Sequence, residues 1–396
     1  MGLNQTPAAN RLHIGIFGKR NSGKSSLINA LTGQNTAIVS DTPGTTADPV
    51  YKAMELRGIG PCVFIDTAGF DDEGELGRLR VEKTRAALSK TDVAILVFSS
   101  EDLELEKEWV HLLKAQKTPV LGVLNQCDLL SDPEGIRKKI ELELSIPAYC
   151  VSAKSGGGID EIRKSLLSLI PEDYEKKSIT GHLVKAGDVV MLVMPQDSEA
   201  PKGRLILPQV QTIRDLLDLG CISLNVTPET MEAALSALKE PPALIITDSQ
   251  VFRTVYEKKP EQSRLTSFSV LFAGYKGDIQ EFIRGAEAIE RLTEQSRVLI
   301  AEACTHAPLS EDIGRVKIPA MLRKKTGPGL QVDVAAGADF PKDLSKYDLI
   351  IHCGACMFNR KYVMARVEEA KGQGIPITNY GIAVAYLTGI LNHIDY

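Results

Sequence analysis

Short apolar runs alternate with longer amphipathic stretches along the chain. Several of these runs have the length and composition of strands that are buried on both faces of a parallel sheet, namely residues 12–17, 93–98, 120–124, 244–246, 298–301 and 349–351. The stretches between them carry apolar residues at helical spacing, as at residues 26–31, 159–170, 207–219 and 229–238. This alternation predicts an α/β fold with mainly parallel sheets.

Two polar segments interrupt the alternation. Residues 171–178 are charged and begin with a proline, and residues 258–267 are polar and contain Pro260. A chain of 396 residues is long enough for two or three domains. We therefore predict three consecutive α/β domains, at residues 1–172, 180–266 and 267–396, the second and third being smaller parallel-sheet domains.

Composition and charge exclude several classes of protein. The chain is 43% hydrophobic and 24% charged, which is typical of globular proteins. Its formal net charge is −5, and its longest basic run is residues 323–325, so nucleic acid is not an expected partner. The apolar runs are far shorter than the ~20 residues of a membrane span. Because the first residues also lack a signal-peptide pattern, we expect a cytoplasmic protein without a membrane partner.

The first apolar run leads directly into the motif GKRNSGKS at residues 18–25, which a helical pattern follows. Glycines let such a loop wrap around phosphate oxygens, a lysine reaches the β- and γ-phosphates, and a hydroxyl binds Mg²⁺. The lysine is Lys24 and the hydroxyl is that of Ser25. The motif therefore predicts a phosphate-binding P-loop, with nucleotide contacts from Gly18, Asn21, Ser22, Gly23, Lys24, Ser25 and Ser26.

Three further motifs follow apolar runs in the expected order: DTAG at 66–69, NQCD at 125–128 and SAK at 152–154. Together with the P-loop they resemble the small GTPase G-domain. The resemblance implies that Asp66 holds Mg²⁺ through water, Gly69 senses the γ-phosphate, and Asp128 accepts the two donors of guanine. A carboxylate that needs two donors rejects adenine, so GTP and GDP are the expected nucleotides. The same resemblance places Asn125, Ser152, Ala153 and Lys154 around the base.

Residues 41–48, DTPGTTAD, are similar to the switch I of the tRNA-modification and ribosome-assembly GTPases, in which Thr46 would ligate Mg²⁺. Lys24, Asn21, Thr46, Asp66 and Gly69 are thus the expected catalytic group. Asn21 matches the P-loop asparagine of the relatives that use K⁺ as a transition-state charge. An asparagine also suits a tight loop, and both interpretations stay open.

Two positions depart from the GTPase pattern. Gln126 replaces the family's lysine, whose stem lies along the base, so we expect weaker affinity with the specificity carboxylate retained. Phe70 stands where Ras-like proteins carry a glutamine that orients water. An apolar ring cannot orient water, so K⁺ is a candidate cofactor in place of an arginine finger.

A second set of chemically active residues lies near the end of the chain. Cys304 and His306 follow the run at 298–301, and His352, Cys353 and Cys356 follow the run at 349–351. Because ligands bind outside the carboxyl ends of parallel strands, the two segments are expected to converge. Three thiols and two imidazoles suit either an iron–sulfur cluster or Zn²⁺.

A GTPase domain followed by CxH, 45 further residues and HCxxC resembles, over the whole chain, the HydF family of [FeFe]-hydrogenase maturation GTPases. The resemblance implies a [4Fe–4S] cluster on Cys304, Cys353 and Cys356, with His306 and His352 either completing the ligand shell or tuning it.

The same resemblance implies a homodimer formed by the middle domain. It also implies that the protein carries a diiron precursor from radical-SAM maturases to the apo-enzyme of [FeFe]-hydrogenase. The alternative is a tRNA-modification or ribosome-assembly GTPase with a structural zinc module.

Overall fold

The computed structural model describes residues 7–33, 49–56, 58–72, 74–170, 174, 178–196, 205–303 and 312–396. Contacts divide the chain into two compact units. The first comprises Met1–Glu175 with Met357–Ala365, and the second comprises Lys176–Cys356 with Arg366–Tyr396. The first unit contains one sheet and the second contains two. Both units are α/β, as the sequence predicts.

The first sheet has six strands in the order β2-β3-β1-β4-β5-β6, and all neighbours are parallel except β2 and β3. Its strands are β1 Leu12–Gly18, β2 Val50–Leu56, β3 Gly60–Asp66, β4 Val93–Phe98, β5 Val120–Leu124 and β6 Ala148–Cys150. Its helices are α1 Lys24–Thr32, α2 Gly74–Leu88, α3 Glu104–Ala115, α4 Pro133–Leu144 and α5 Ile159–Leu169.

The central strand β4 shows why the apolar runs are continuous. Val93, Ile95 and Val97 belong to one hydrophobic cluster, whereas the alternate residues Ala94, Leu96 and Phe98 belong to another. A strand that is covered by helices on both faces needs apolar residues at every position.

The second sheet has four parallel strands in the order β10-β9-β7-β8. Its strands are β7 Val189–Val193, β8 Ile222–Val226, β9 Leu244–Thr247 and β10 Arg264–Ser267, and its helices are α6 Leu207–Asp218, α7 Met231–Ala237, α8 Phe252–Lys258 and α9 Phe268–Lys276. The domain boundary that we placed at residue 266 falls inside β10. Phe268, Leu271 and Phe272 of α9 pack in the core of this sheet, so that core extends beyond residue 266.

The third sheet has four parallel strands in the order β12-β11-β13-β14. Its strands are β11 Arg297–Glu302, β12 Gln331–Ala336, β13 Leu349–His352 and β14 Ile377–Asn379, and its helices are α10 Ile279–Glu287, α11 Ile318–Thr326, α12 Arg360–Gly372 and α13 Tyr380–Leu387. A one-turn π-helix, Ile313–Lys317, precedes α11. The strand order reverses between β11 and β13, which is the place where open parallel sheets form a ligand crevice.

The predicted strands are confirmed to within one or two residues at each end, and β4 and β5 match their predicted bounds. The strands that the pattern did not predict, β2, β10, β12 and β14, are sheet-edge strands. β2 is largely exposed and β14 has three residues, so neither shows a continuous apolar run. Most of the predicted linker at 171–178 lies outside the described residues. Within the part of the chain that the structure covers, no helix has the length and apolarity to cross a membrane.

Candidate functional site

The P-loop connects the end of β1 to the start of α1. Gly23 has a φ of +87°, and a Cβ atom there would lie 2.2 Å from the Asn125 side-chain nitrogen, so glycine is needed for two reasons. Lys24 is buried, and its Nζ donates to the carbonyl oxygens of Gly18 at 2.9 Å and Lys19 at 2.8 Å. The lysine therefore lies within the loop that the motif predicts for phosphate.

The charge of Lys24 is held in an unfavourable environment. Burial lowers the pKa of its ammonium group to about 8, while Asp66, Asp71 and Asp72 act in the opposite direction. A phosphate placed beside the ammonium would offset its desolvation and favour the charged form. The site thus suits an anionic ligand.

Ser25 and Asp66 are brought together by α1 and β3. The Ser25 hydroxyl donates to Asp66 Oδ2 at 2.9 Å, and Lys52 Nζ lies 3.8 Å from the same oxygen. Burial raises the pKa of Asp66. A hydroxyl and a carboxylate at this spacing supply hard oxygen ligands, which Mg²⁺ prefers. Thr46, the third predicted Mg²⁺ residue, lies outside the described residues.

The DTAG segment lies directly against the P-loop. A Cβ atom on Gly69 would be 2.5 Å from Arg20 Cγ and 2.7 Å from the Arg20 backbone nitrogen. The Arg20 N–H donates to Asp71 Oδ1 at 2.6 Å, and this bond holds the P-loop backbone close to the DTAG segment. Phe70 is 5% exposed and stacks on Trp109 with ring centroids 5.1 Å apart, so it is a core residue.

Asn125 connects the P-loop to the SAK segment. Its Nδ2 donates to the Ser22 carbonyl at 2.9 Å, and its Oδ1 accepts the Ala153 N–H at 3.1 Å. Gln126 donates from Nε2 to the Asn21 carbonyl at 3.1 Å, so it supports the P-loop although it is not the usual lysine. Asp128 is exposed, which leaves its carboxylate accessible to the guanine ring of a nucleotide. Ser152 is buried and Lys154 is exposed.

The second candidate site is at the carboxyl ends of β11 and β13. Ala301 is opposite His352 in the register, and the Cys353 N–H donates to the Ala301 carbonyl at 2.9 Å. Cys353 Sγ accepts the Ala303 N–H at 3.1 Å. Because Ala303 directly precedes Cys304, both thiol-bearing segments leave the sheet at the same edge. Cys356 is exposed.

Cys304 and His306 lie in residues 304–311, outside the described part of the chain, so their positions stay predictions. Among the residues that the structure does describe, no group of three or more His, Cys, Asp or Glu side chains is arranged to hold a metal ion. That finding applies only to clusters that do not include Cys304 and His306.

His352 is fully buried and both of its ring nitrogens have partners. Nδ1 lies 2.7 Å from the Cys353 carbonyl oxygen, and Nε2 lies 3.1 Å from Arg366 Nη1. Burial, with the Arg366 charge acting in the same direction, lowers the pKa of His352 to about 3. The neutral ring therefore donates from Nδ1 and accepts at Nε2.

An ion pair between buried Glu302 and half-buried Arg315 connects the residues before and after the segment 304–311. Glu302 is 2% exposed, and its Oε2 accepts Arg315 Nη2 at 2.7 Å. Arg366 donates to the carbonyl oxygen of Glu302 at 3.2 Å. No sequence motif identifies Arg315 or Arg366, because their partners are distant in the chain. The sequence did contain a signal for Glu302, because a carboxylate directly after the apolar run 298–301 and two residues before Cys304 is unusual for a simple strand end.

The sheet topology and the P-loop contacts together define the first domain as a P-loop GTPase domain. Residues 13–126 match the family model described as 50S ribosome-binding GTPase. Residues 179–277 match the hydrogen maturase F dimerization domain, and residues 280–394 match the hydrogen maturase F tetramerization domain. The last two matches together cover more than half of the chain, and the chain belongs to the hydrogen maturase F family.

Similar curated proteins match this chain over its GTPase domain. GTPase Der of Wolinella succinogenes is 34% identical over 188 residues, which are 45% of this chain and 40% of that protein. The tRNA modification GTPase MnmE of Heliobacterium modesticaldum is 35% identical over 159 residues, which are 40% of this chain and 34% of that protein. The chain thus spans two fifths or less of the length of these relatives.

Two solved structures are also similar in part. Era of Aquifex aeolicus bound to GDP·AlF₄⁻ is 20% identical, with 54% of this chain and 92% of that chain covered at a TM-score of 0.37. NFeoB of S. thermophilus bound to GDP·AlF₄⁻ and K⁺ is 25% identical, with 40% of this chain and 62% of that chain covered at a TM-score of 0.33.

The close approach of Gly69 to Arg20 leads to a first prediction. In Gly69→Ala the added Cβ displaces the DTAG backbone from the P-loop, and we expect GTP hydrolysis to fall about 100-fold, the loss that misplacement of a catalytic group by about 1 Å can cause. Phosphate release measures the rate. Gly372→Ala, where no atom lies within 4 Å of the added Cβ, is the control. A wild-type rate of hydrolysis in Gly69→Ala would contradict the requirement for glycine at this position.

The Gln126 contact leads to a second prediction. Gln126→Ala removes one neutral hydrogen bond to the P-loop, which corresponds to about a 2- to 10-fold weaker affinity for GDP. Gln126→Lys should bind GDP more tightly than the wild type, because the bond becomes charge-assisted. Titration calorimetry measures both, with the exposed Gln295→Ala as control. Equal affinity of Gln126→Ala and wild type would show that this contact does not support the nucleotide site.

Proposed function

We propose that the chain hydrolyses GTP in its first domain, binds a [4Fe–4S] cluster in its third, and carries a diiron precursor to apo-[FeFe]-hydrogenase. The observation that supports the proposal is the parallel pairing of β11 and β13 in a hydrogen maturase F chain, because the residues that follow both strands, including the three cysteines, then start from one edge of the sheet. The P-loop geometry supports the GTPase part independently of the thiols.

In the GTPase domain, the positions of the motif residues support the following roles. Lys24 would neutralise the β- and γ-phosphates, Ser25 and Thr46 would ligate Mg²⁺, and Asp66 would hold Mg²⁺ through water. Gly69 lets the DTAG backbone approach the γ-phosphate, and Asp128 selects guanine. Because α1 positions Lys24 and Ser25 and the end of β3 positions Asp66, these three groups would stabilise transition-state charge without rearranging.

In the third domain, the donor set fits an iron–sulfur cluster. Cys304, Cys353 and Cys356 supply soft thiolates, and the Ala303 N–H supports the Cys353 sulfur. A cluster held by these three thiolates would supply one iron without a cysteine ligand, where incoming cargo could bind. His352 orients Cys353 through its carbonyl oxygen rather than binding iron, since both of its nitrogens are occupied. His306 stays a candidate fourth ligand.

The partners in this proposal follow from the family. The diiron precursor comes from radical-SAM maturases, and apo-[FeFe]-hydrogenase receives it. The matched domain descriptions name dimerization and tetramerization, which supports self-association of this chain through its second and third domains. The third domain would then combine cluster binding with assembly.

A tRNA-modification GTPase with structural zinc is the competing function. The match to MnmE covers only 34% of that protein and comes from the GTPase domain, so it does not extend to the thiol-bearing domain. Absorption and EPR spectra of the anaerobically purified protein separate the two functions. A brown, reducible protein supports the cluster, and a colourless protein with stoichiometric zinc contradicts it.

The two activities should be separable, because the P-loop lies in the first unit whereas the candidate cluster ligands Cys353 and Cys356 lie in the second. Cys353→Ser should lose most of the cluster, because a hydroxyl is a poor ligand for iron, while GTP hydrolysis stays near the wild-type rate. Lys24→Ala should lose hydrolysis and keep the cluster spectrum. Iron content and phosphate release measure both.

Cys221→Ser is the matched control, since this thiol is buried in the second domain and should not affect iron content. A full cluster signal in Cys353→Ser, or loss of hydrolysis together with the cluster, would contradict separable sites.

Monovalent-ion dependence tests the role of Asn21, whose φ of 58° is left-handed. Asn21→Gly keeps this backbone conformation and removes the side-chain amide. If the amide holds K⁺, wild-type turnover is faster in K⁺ than in Na⁺ at equal ionic strength, and the variant loses the difference. Identical wild-type rates in the two salts would leave Asn21 with a conformational role only.

A further inference from the structure

Tyr380 leaves the sheet beside Cys353. Asn379 at the end of β14 is opposite His352 at the end of β13, so the next residue of each strand emerges at the same edge. The Tyr380 hydroxyl lies against the π-helix that follows residues 304–311 in the chain, where a Cβ atom on Gly314 would lie 1.8 Å from it. The hydroxyl therefore lies at the two described borders of the candidate cluster site.

The Tyr380 hydroxyl is inaccessible to solvent and has no hydrogen-bond partner among the described residues. Buried hydroxyls are normally paired, because an unpaired one loses its hydration without compensation. The titratable groups that face it are Cys353, Glu302, Asp312 and Arg315. Neighbours of mainly negative charge favour a group that donates a proton in a hydrogen bond.

The hydroxyl keeps its proton at this site. A phenol is protonated at neutral pH, because its ordinary pKa is about 10. A protonated phenol is a hydrogen-bond donor and a poor iron ligand. Sulfur ligands of iron–sulfur clusters accept such bonds, which raise the reduction potential of the cluster.

We propose that Tyr380 is a positioning residue for the iron–sulfur cluster, and that its hydroxyl donates a hydrogen bond to the Cys353 thiolate when iron is bound. This inference rests on the cluster site proposed above. It adds a second donor to the sulfur that the Ala303 N–H already supports. The role is distinct from ligation, since the phenol oxygen does not bind iron.

The test compares full-length Tyr380→Phe with wild type, each measured before and after anaerobic reconstitution with iron and sulfide. Before reconstitution, the variant should unfold at a higher temperature than wild type, because a buried unpaired hydroxyl has been removed. After reconstitution, iron content should be unchanged. The midpoint potential should fall by about 59 mV, which corresponds to a tenfold lower ratio of reduced to oxidised cluster.

Tyr386→Phe is the matched control, because it lies on the same helix and its hydroxyl lies 3.0 Å from Glu290 Oε1 at the surface. It should leave the potential unchanged. An unchanged potential in Tyr380→Phe would overturn the hydrogen bond, and loss of iron from a folded Tyr380→Phe protein would overturn it in favour of ligation. A lower unfolding temperature of the iron-free variant would show that the hydroxyl already has a protein partner.

Failure of the underlying site gives a different result. A wild-type protein that takes up no iron on reconstitution would overturn the proposed cluster function, and the present inference with it. If the wild-type protein binds a cluster and Tyr380→Phe has the same midpoint potential, the inference about Tyr380 is overturned while the proposed cluster function stands.

Discussion

The constraint on which both sites depend is the direction of the parallel strands. In a parallel sheet every carboxyl end lies at the same edge, so segments that are far apart in sequence become neighbours there. β1 and β3 bring the P-loop to Asp66 in this way, and β11 and β13 bring Ala303 to Cys353. Where the first strand of a sheet lies between the second and the third, the chain segments that leave the carboxyl ends of adjacent strands run in opposite directions. They leave a crevice between them. The third domain has this arrangement.

Charged side chains at these sheet edges position neighbouring segments more than they stabilise the fold. Glu302 and Arg315 form a close ion pair, but desolvation offsets much of the attraction in such pairs, so their net contribution to stability is small. The pair instead connects the strand end that precedes the Cys304 segment to the π-helix that follows it. Lys24 is a comparable case, because burial disfavours its charge until an anion offsets the desolvation. At both sites the fold maintains an electrostatic environment that a ligand completes.

The second and third domains share one strand order and differ in chemistry. In each, the first strand lies between the second and the third, and the fourth is next to the third. The carboxyl ends of β11 and β13 lead into cysteines, whereas β9 ends at Thr247 and continues to Asp248 and Ser249. The sequence shows no repeat, because a shared topology requires only matching apolar runs and not matching residues. Function therefore follows the residues at the strand ends rather than the fold.

The sequence by itself determined the α/β class, the central strands and the identity of the nucleotide motifs. These features are local: a strand covered on both faces needs a continuous apolar run, as in β4, and a P-loop needs glycine and lysine at set spacing. It did not determine the edge strands β2, β10, β12 and β14, which are short or partly exposed and lack such runs.

Tertiary structure alone decided the strand order, the contact of Gln126 with Asn21, and the two hydrogen-bond partners of His352. The sequence left His352 as either a ligand or a tuning group. Its two nitrogen partners come from the adjacent Cys353 and from Arg366, fourteen positions away on a helix, and only the packing of that helix against β13 shows that both are occupied. The same holds for Tyr380, whose burial against Gly314 depends on contacts between elements that no local pattern encodes.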